Sequence, residues 1–202
     1  MKKAVIYVHG KGGNIEEAEH YKRFFDDEFE IIGFDYKSEN PWDAKIEFTN
    51  YFNSMFNRYS KFYLIANSVG AYFSILSLSD KPIEKAMLIS PIIDMESLIL
   101  EMIRIENISE EELSLRKKVN TLSGELLSWE YLSYVRNNPI TWNIPSSILY
   151  GEKDNMNSLD TISIFADKIN ADLTVMENGE HWFHTEEQVC FLDDWFKKNI
   201  GL

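Results

Sequence analysis

Short apolar runs and helical periods alternate along most of this 202-residue chain. Several of the runs are apolar almost throughout, which is typical of strands that are covered on both faces of a parallel sheet. The runs predict six strands, at Ala4 to Val8, Glu30 to Asp35, Lys61 to Ala66, Lys85 to Ser90, Ser146 to Tyr150 and Ala171 to Met176.

The segments between these runs repeat apolar residues at the spacing of one helix face. Asn40 followed by Pro41 is typical of a helix start, and Thr185 with Gln188 predicts a capping box that opens the last helix. That helix is expected to stop before Gly201. Strands and helices in alternation predict right-handed crossovers and a doubly wound, mainly parallel α/β sheet.

One stretch, residues 95–143, breaks the alternation. It contains no evident strand, and a capping box from Ser109 to Glu112 together with its apolar spacing predicts helices. We therefore expect one domain over residues 1–202, in which residues 95–143 form a helical cap over the carboxyl ends of the strands.

The composition excludes some classes of function. With 33 acidic and 20 basic residues, the formal net charge is −13, and such a surface would repel a polyanion, so nucleic acid is not an expected partner. The single cysteine, Cys190, allows no intramolecular disulfide. No window approaches the roughly 20 apolar residues that span a bilayer, and the apolar run after Lys3 is too short for a signal peptide. We expect a cytoplasmic protein without a membrane span.

In an open parallel sheet, ligands bind at the carboxyl ends of the strands, so the residues that follow each strand carry the functional signal. After the third predicted strand comes Ala66-Asn67-Ser68-Val69-Gly70 and then an apolar helical segment. This matches the nucleophile-elbow pattern G-x-S-x-G with alanine in the first glycine position. Ser68 is the candidate nucleophile, although a five-residue pattern also arises in plain strand-to-helix turns.

A glycine loop, His9-Gly10-Lys11-Gly12-Gly13, follows the first strand. Such a loop can aim a backbone N–H at the serine, so the N–H groups of Lys11 and Val69 are the candidate oxyanion hole. Phosphate or dinucleotide binding would need Gly-Lys-Ser/Thr or a further glycine, and both patterns fail here. His9 itself is more typical of a structural residue than of a catalyst.

The loop after the fifth strand contains Asp154, which can accept the imidazole N–H of a histidine and fix its tautomer. Asp154 could instead only cap the next helix. Asp94, just past the fourth strand, is the competing acid, and chain order and loop context favour Asp154.

The loop after the sixth strand supplies the histidine. His181 is favoured as the base over His184, because it lies closer to the strand and because His184 stands at the entrance of the final helix. The two histidines could also suggest a metal site, but no third spaced ligand accompanies them. We therefore expect neither a metal nor a cofactor.

Glycine loop, serine elbow, acid and histidine follow one another in the order of the α/β-hydrolase superfamily, and the chain resembles its small serine esterase, lipase and aminopeptidase-like members. The resemblance covers nearly the whole chain and implies a six-stranded sheet that lacks the first two strands of larger members. It also implies a cap between the elbow and the acid loop. Ala66 in place of the first elbow glycine is the departure in the motif.

The resemblance and the residues together predict a hydrolase that cleaves a small carboxylic ester through an acyl-enzyme, with Ser68, His181 and Asp154 as a catalytic triad. Amide, thioester or carbon–carbon bond cleavage with the same triad stays open, as does a non-catalytic ligand-binding protein on this fold. The oligomeric state is not visible in the sequence. Several apolar residues of the insert could line an acyl pocket, but burial of the insert's own helices is the favoured reading of Leu98, Ile99, Met102, Trp129 and Tyr134.

Overall fold

The computed structural model describes residues 1–122 and 124–200. Its centre is a six-stranded sheet. The strands are β1 (Lys3–Val8), β2 (Phe29–Gly33), β3 (Phe62–Asn67), β4 (Ile83–Ile89), β7 (Ser146–Gly151) and β8 (Asp172–Met176), and the short strands β5 and β6 lie outside this sheet. The spatial order is β2-β1-β3-β4-β7-β8, and every neighbouring pair of strands is parallel. The predicted doubly wound α/β sheet is thereby confirmed.

Helices cover both faces of this sheet. They are a 3₁₀ helix (Ile15–Phe24), α1 (Pro41–Met55), α2 (Ser68–Leu78), α3 (Met95–Ile105), α4 (Glu110–Arg116), α5 (Trp129–Asn137), α6 (Leu159–Ile169) and α7 (Glu186–Asn199). No helix in the described part of the chain is long and apolar enough to cross a membrane.

Alternate residues of β1 divide the core into two layers. Ala4, Ile6 and Val8 point into the larger layer, with α1, α2, α6 and much of the insert, whereas Val5 and Tyr7 point into the smaller layer, with the 3₁₀ helix and α7. This side-chain period of two, with both faces buried, is the reason that the central strands read as continuous apolar runs.

The predicted helix starts are present. Asn40 accepts the N–H of Asp43 with Pro41 as the first residue of α1, and Thr185 accepts the N–H of Gln188 at the start of α7. The Gln188 side chain accepts the N–H of His184 (3.2 Å) and not that of Thr185, so it closes the predicted box one residue early. α7 ends at Asn199, before Gly201 as expected, and Gly201 itself lies outside the described residues.

The insert between β4 and β7 differs from the expectation in one respect. It contains α3, α4 and α5, but also a two-stranded antiparallel hairpin, β5 (Lys118–Asn120) with β6 (Leu126–Ser128). The prediction of an entirely helical segment is wrong there. Each of these strands has three residues and buries only one, Val119 or Leu127, so the period-two signal is too short to recognise in the sequence.

Candidate active site

Ser68 stands at a sharp turn between β3 and α2. Its φ is +51°, in the left-handed region that non-glycine residues seldom adopt, so the hydroxyl is presented on a strained bend. Two residues after Ser68, α2 needs a glycine, because a Cβ on Gly70 would lie 2.2 Å from the carbonyl oxygen of His9. The start of α2 therefore packs directly against the loop that follows β1.

Three side chains from three separate loops meet at this turn. The Oγ of Ser68 lies 2.8 Å from Nε2 of His181, and Nδ1 of His181 lies 2.6 Å from Oδ2 of Asp154. A carboxylate only accepts hydrogen bonds, so Nδ1 carries the proton and Nε2 is left free to accept from the serine. The structure thus brings together the three residues predicted as nucleophile, base and acid.

The acid and histidine loops are joined along their main chains. The N–H of Lys153 donates to the carbonyl of Gly179 (2.7 Å), and the N–H of Glu152 donates to that of Met176 (3.0 Å). A Cβ on Gly151 would lie 2.4 Å from the carbonyl oxygen of Glu180, so this contact also requires a glycine. We call this contact between the loops after β7 and β8 the loop seam; it sets the separation of Asp154 and His181.

Asp154 is almost fully enclosed, with 1% of its side chain exposed. Its second oxygen accepts the N–H of Met156 (2.7 Å), so both carboxylate oxygens have donors. Asp94, the competing acid, is occupied elsewhere: it accepts the N–H and the hydroxyl of Ser97 and caps α3.

Asn157 connects the acid loop to the chain after β4, a contact that sequence reasoning missed. Its buried amide oxygen accepts the N–H groups of Ile93 (3.2 Å) and Asp94 (3.1 Å), and its carbonyl accepts the hydroxyl of Tyr150 (2.7 Å). An asparagine in a polar loop gives no signal of such a long-range contact in the sequence.

The glycine loop lies beside Ser68, since a Cβ on Gly10 would be 3.1 Å from Cβ of Ser68. Within residues 1–122 and 124–200, the backbone N–H groups of Lys11 and Val69 donate no hydrogen bond. The N–H of Val69 belongs to the first turn of α2, where helix donors lack intrahelical acceptors. His9 holds the loop, because its ring stacks on Tyr36 (centroids 4.5 Å apart) and its carbonyl accepts the Tyr36 hydroxyl (3.0 Å).

The side chain of Lys11 has a partner that the sequence did not suggest. It forms an ion pair with Glu125, which follows the turn of the β5–β6 hairpin. The main chain of Glu125 is held in turn by Thr121, through hydrogen bonds of 2.8 Å in both directions. The insert is thus attached to the glycine loop beside Ser68.

A partly buried series of polar side chains supports the elbow from the side of the smaller core layer. The Asn67 amide donates to the hydroxyl of Tyr7 (2.8 Å), and that hydroxyl donates to Glu17. The Glu17 carboxylate also accepts the N–H of Asn14 (3.2 Å) at the end of the glycine loop. Burial, with Tyr21 and Glu17 nearby, raises the pKa of Tyr7 far above its ordinary value, so the phenol stays a proton donor.

The side chain of His184 makes its contacts within its own loop. Its Nδ1 donates to the carbonyl of Trp182 (2.7 Å), and its ring stacks on the Trp182 indole with centroids 4.6 Å apart. Within the described part of the chain, no group of three or more His, Cys, Asp or Glu residues is placed to hold a metal ion.

Known proteins of similar structure share the fold of this chain. No family model matches the chain, and no curated protein matches it. Est1E from Butyrivibrio proteoclasticus is similar over 100% of this chain and 89% of its own, with a TM-score of 0.76 and 12% identity. Est1E with ferulic acid bound is similar over 99% of this chain and 90% of its own (TM-score 0.74, 13% identity).

Mouse alpha/beta hydrolase domain-containing protein 10 is similar over 96% of this chain and 90% of its own, with a TM-score of 0.67 and 16% identity. The neighbours include esterases and α/β-hydrolase proteins, so the chain has the α/β-hydrolase fold that the sequence resemblance predicted.

Proposed function

We propose that this protein is a serine hydrolase that cleaves small carboxylic esters through an acyl-enzyme, with Ser68 as nucleophile, His181 as base and Asp154 as the acid that orients it. The observation that carries the proposal is the continuous hydrogen-bonded series from the Ser68 hydroxyl through the imidazole to an enclosed carboxylate. The esterases among proteins of similar fold also support it.

In the first step, Oγ of Ser68 attacks the ester carbonyl carbon while its proton passes to Nε2 of His181. The carbonyl oxygen becomes an oxyanion, which the N–H groups of Lys11 and Val69 stabilise. The imidazolium is stabilised by Asp154, and its Nε2 proton goes to the alcohol oxygen as the carbon–oxygen bond of the ester breaks. The acyl group is then bonded to Ser68.

In the second step, a water molecule loses a proton to Nε2 of His181 and attacks the acyl carbon. The oxyanion forms again at the same two N–H groups, and the proton returns to Oγ of Ser68 as the acid leaves. The enzyme is regenerated, and all protons in this scheme are carried by His181.

The insert, residues 95–143, is proposed to act as the cap over this site. Its ion pair with Lys11 attaches it to the proposed oxyanion loop, and its apolar residues pack against the larger core layer. Those packed residues include four of the five that could have lined an acyl pocket, namely Leu98, Ile99, Met102 and Trp129. The fifth, Tyr134, contacts the ring of Trp42. A cytoplasmic site of action is proposed, because a single cysteine requires no oxidising compartment.

Reaction with a fluorophosphonate probe tests the proposal, with mass spectrometry to locate the adduct. We expect labelling at Ser68 and turnover of p-nitrophenyl acetate. Ser68→Ala should abolish both while the far-ultraviolet circular dichroism and melting temperature stay within the range of a folded protein. Ser54→Ala, on the exposed side of α1, is the matched control and should keep both.

A folded protein that does not react at Ser68, or a Ser68→Ala variant that keeps its activity, would refute the assignment. Failure to label would favour a ligand-binding protein on the hydrolase fold. The complex of Est1E with ferulic acid makes esters of aromatic acids a reasonable addition to the substrates tested first.

A further inference from the structure

One buried hydroxyl on α2, the helix that begins at Ser68, has no hydrogen-bond partner among the described residues. Tyr72 of α2 is 1% exposed, and its phenol oxygen is buried without a hydrogen bond to any described residue. Buried hydroxyl groups are normally paired, since leaving one unpaired forfeits the hydrogen bonds that it makes with water in the unfolded chain. An exception of this kind needs an explanation, and a ligand is one explanation that can be tested.

The position of Tyr72 relates it to the proposed site. It follows Ser68 by four residues, which is about one turn along α2. Side chains on a helix lean towards its amino end, and the Tyr72 ring therefore lies over the turn that carries the nucleophile. It belongs to the larger core layer, on the side of the sheet that the insert covers.

A second phenol reaches the same region from the insert. Tyr131 of α5 makes no hydrogen bond through its hydroxyl within the described residues, and burial raises its pKa, with Tyr72 and Tyr36 contributing. Tyr36, Tyr72 and Tyr131 all pack in the larger core layer. The Tyr36 hydroxyl is already bonded to the carbonyl of His9, so the hydroxyls of Tyr72 and Tyr131 are the two that have no partner.

The surroundings of these hydroxyls are aromatic. The ring of Trp42, at the start of α1, lies 6.2 Å from the Tyr131 ring and 5.6 Å from the Tyr134 ring. Flat apolar walls with a few fixed polar groups are typical of sites that bind an aromatic ring bearing a hydrogen-bonding substituent. A plain aliphatic chain would leave the buried hydroxyl of Tyr72 unpaired.

We propose that Tyr72 and Tyr131 form the specificity-determining part of the acyl site and bind the hydroxyl of a hydroxylated aromatic acyl group. This inference rests on the proposed function, since it assumes that Ser68 receives the acyl group. The hydroxyl of the substrate supplies the partner that Tyr72 lacks, and the hydroxyl of Tyr131 completes the contact from the side of the cap.

The test compares methyl esters of para-hydroxyphenylpropanoic acid and of phenylpropanoic acid. We expect the wild-type protein to prefer the hydroxylated ester by about fivefold in kcat/KM, the size of one hydrogen bond between neutral groups. Tyr72→Phe and Tyr131→Phe should each bring the ratio of the two kcat/KM values towards one. Tyr59→Phe is the matched control, because Tyr59 is buried beyond the far end of α1, just ahead of β3, and should keep the ratio.

Melting temperature gives a second readout that does not depend on turnover. Because the Tyr72 hydroxyl has no partner, Tyr72→Phe should keep or raise the melting temperature, whereas loss of a hydroxyl bound to a buried water would lower it. A lowered melting temperature, an equal loss on both esters, or an unchanged ratio in both variants would overturn the inference. If fluorophosphonate labels Ser68 in such a case, only the role of the tyrosines fails; without labelling, the proposed function fails.

Discussion

The loop seam and the insert are built in different ways. The seam is held by main-chain hydrogen bonds and by glycines that nearly touch, and it sets the distance between Asp154 and His181. The insert is held to the rest of the molecule by apolar side chains such as Leu132 and by the surface ion pair of Glu125. It also leaves large apolar residues such as Leu122 in solvent.

The difference separates two tasks. Main-chain contacts hold the reacting groups at fixed separations, which catalysis requires to within a fraction of an ångström. Side-chain contacts can be exchanged one at a time, so the proposed cap could change its specificity without moving the proposed triad. Substitutions in the seam should therefore affect catalysis and stability strongly, and substitutions in the insert should affect them weakly.

The largest effect is expected for Asp154→Asn. An amide can donate a hydrogen bond to the imidazole and so favour the wrong tautomer, which should lower kcat by about 10³- to 10⁴-fold while the protein stays folded. Asp94→Asn is the matched control, since Asp94 caps α3 and asparagine also caps well; its kcat should stay within about twofold. Comparable losses in the two variants would argue against Asp154 as the triad acid.

Gly151→Ala should destabilise the seam itself. The new Cβ would meet the carbonyl oxygens of Glu180 and Gly179 at 2.4 and 2.6 Å, so the two loops must separate, at a cost of about 3 kcal/mol in the free energy of unfolding. Activity should fall with it, because the two loops carry Asp154 and His181 of the proposed triad. Urea unfolding and initial rates measure the two effects.

The matched control for this substitution lies in the insert. Gly124→Ala introduces strain at a φ of +87° but meets no described atom within 4 Å, so it should cost only about 1 kcal/mol. Equal destabilisation by both substitutions would contradict the assignment of the main-chain contact as the rigid element.

The smallest effect is expected for Glu125→Gln, which removes the ion pair with Lys11. Both side chains are partly exposed, so the loss of stability should stay below about 1 kcal/mol, and kcat/KM should change by about two- to threefold at low salt. The difference from wild type should disappear at high ionic strength, because salt screens exposed charges. Glu111→Gln on α4 controls for the change of net charge, and a salt-independent loss in Glu125→Gln would contradict the ion-pair explanation.

The sequence was most informative where a residue's role follows from its place after a strand. The carboxyl ends of parallel strands meet at one edge, so the order of Ser68, Asp154 and His181 sufficed to predict their convergence. The buried strands were equally readable, because both faces of the sheet are covered. Helix starts at Asn40 and Thr185 are local, and local signals survive without knowledge of the fold.

Long-range polar contacts could not be predicted in the same way. The chain from Asn67 through Tyr7 to Glu17 joins residues that are neighbours only after the sheet forms, and no periodicity marks them. Whether the hydroxyl of Tyr72 is paired depends on every group packed around it. Its four-residue spacing from Ser68 was the one signal in the sequence, and an apolar helix offers many such spacings.

The residues two before and two after Ser68, Ala66 and Gly70, differ in how much room they leave for a side chain. Ala66 keeps its methyl group fully buried in β3, whereas Gly70 lies so close to the carbonyl of His9 that no methyl group would fit there. A database pattern that insists on glycine before the serine would therefore overlook this chain, and one that insists on glycine after it would retain it. Remote relatives are better sought by weighting the downstream glycine together with the glycine loop against which it packs.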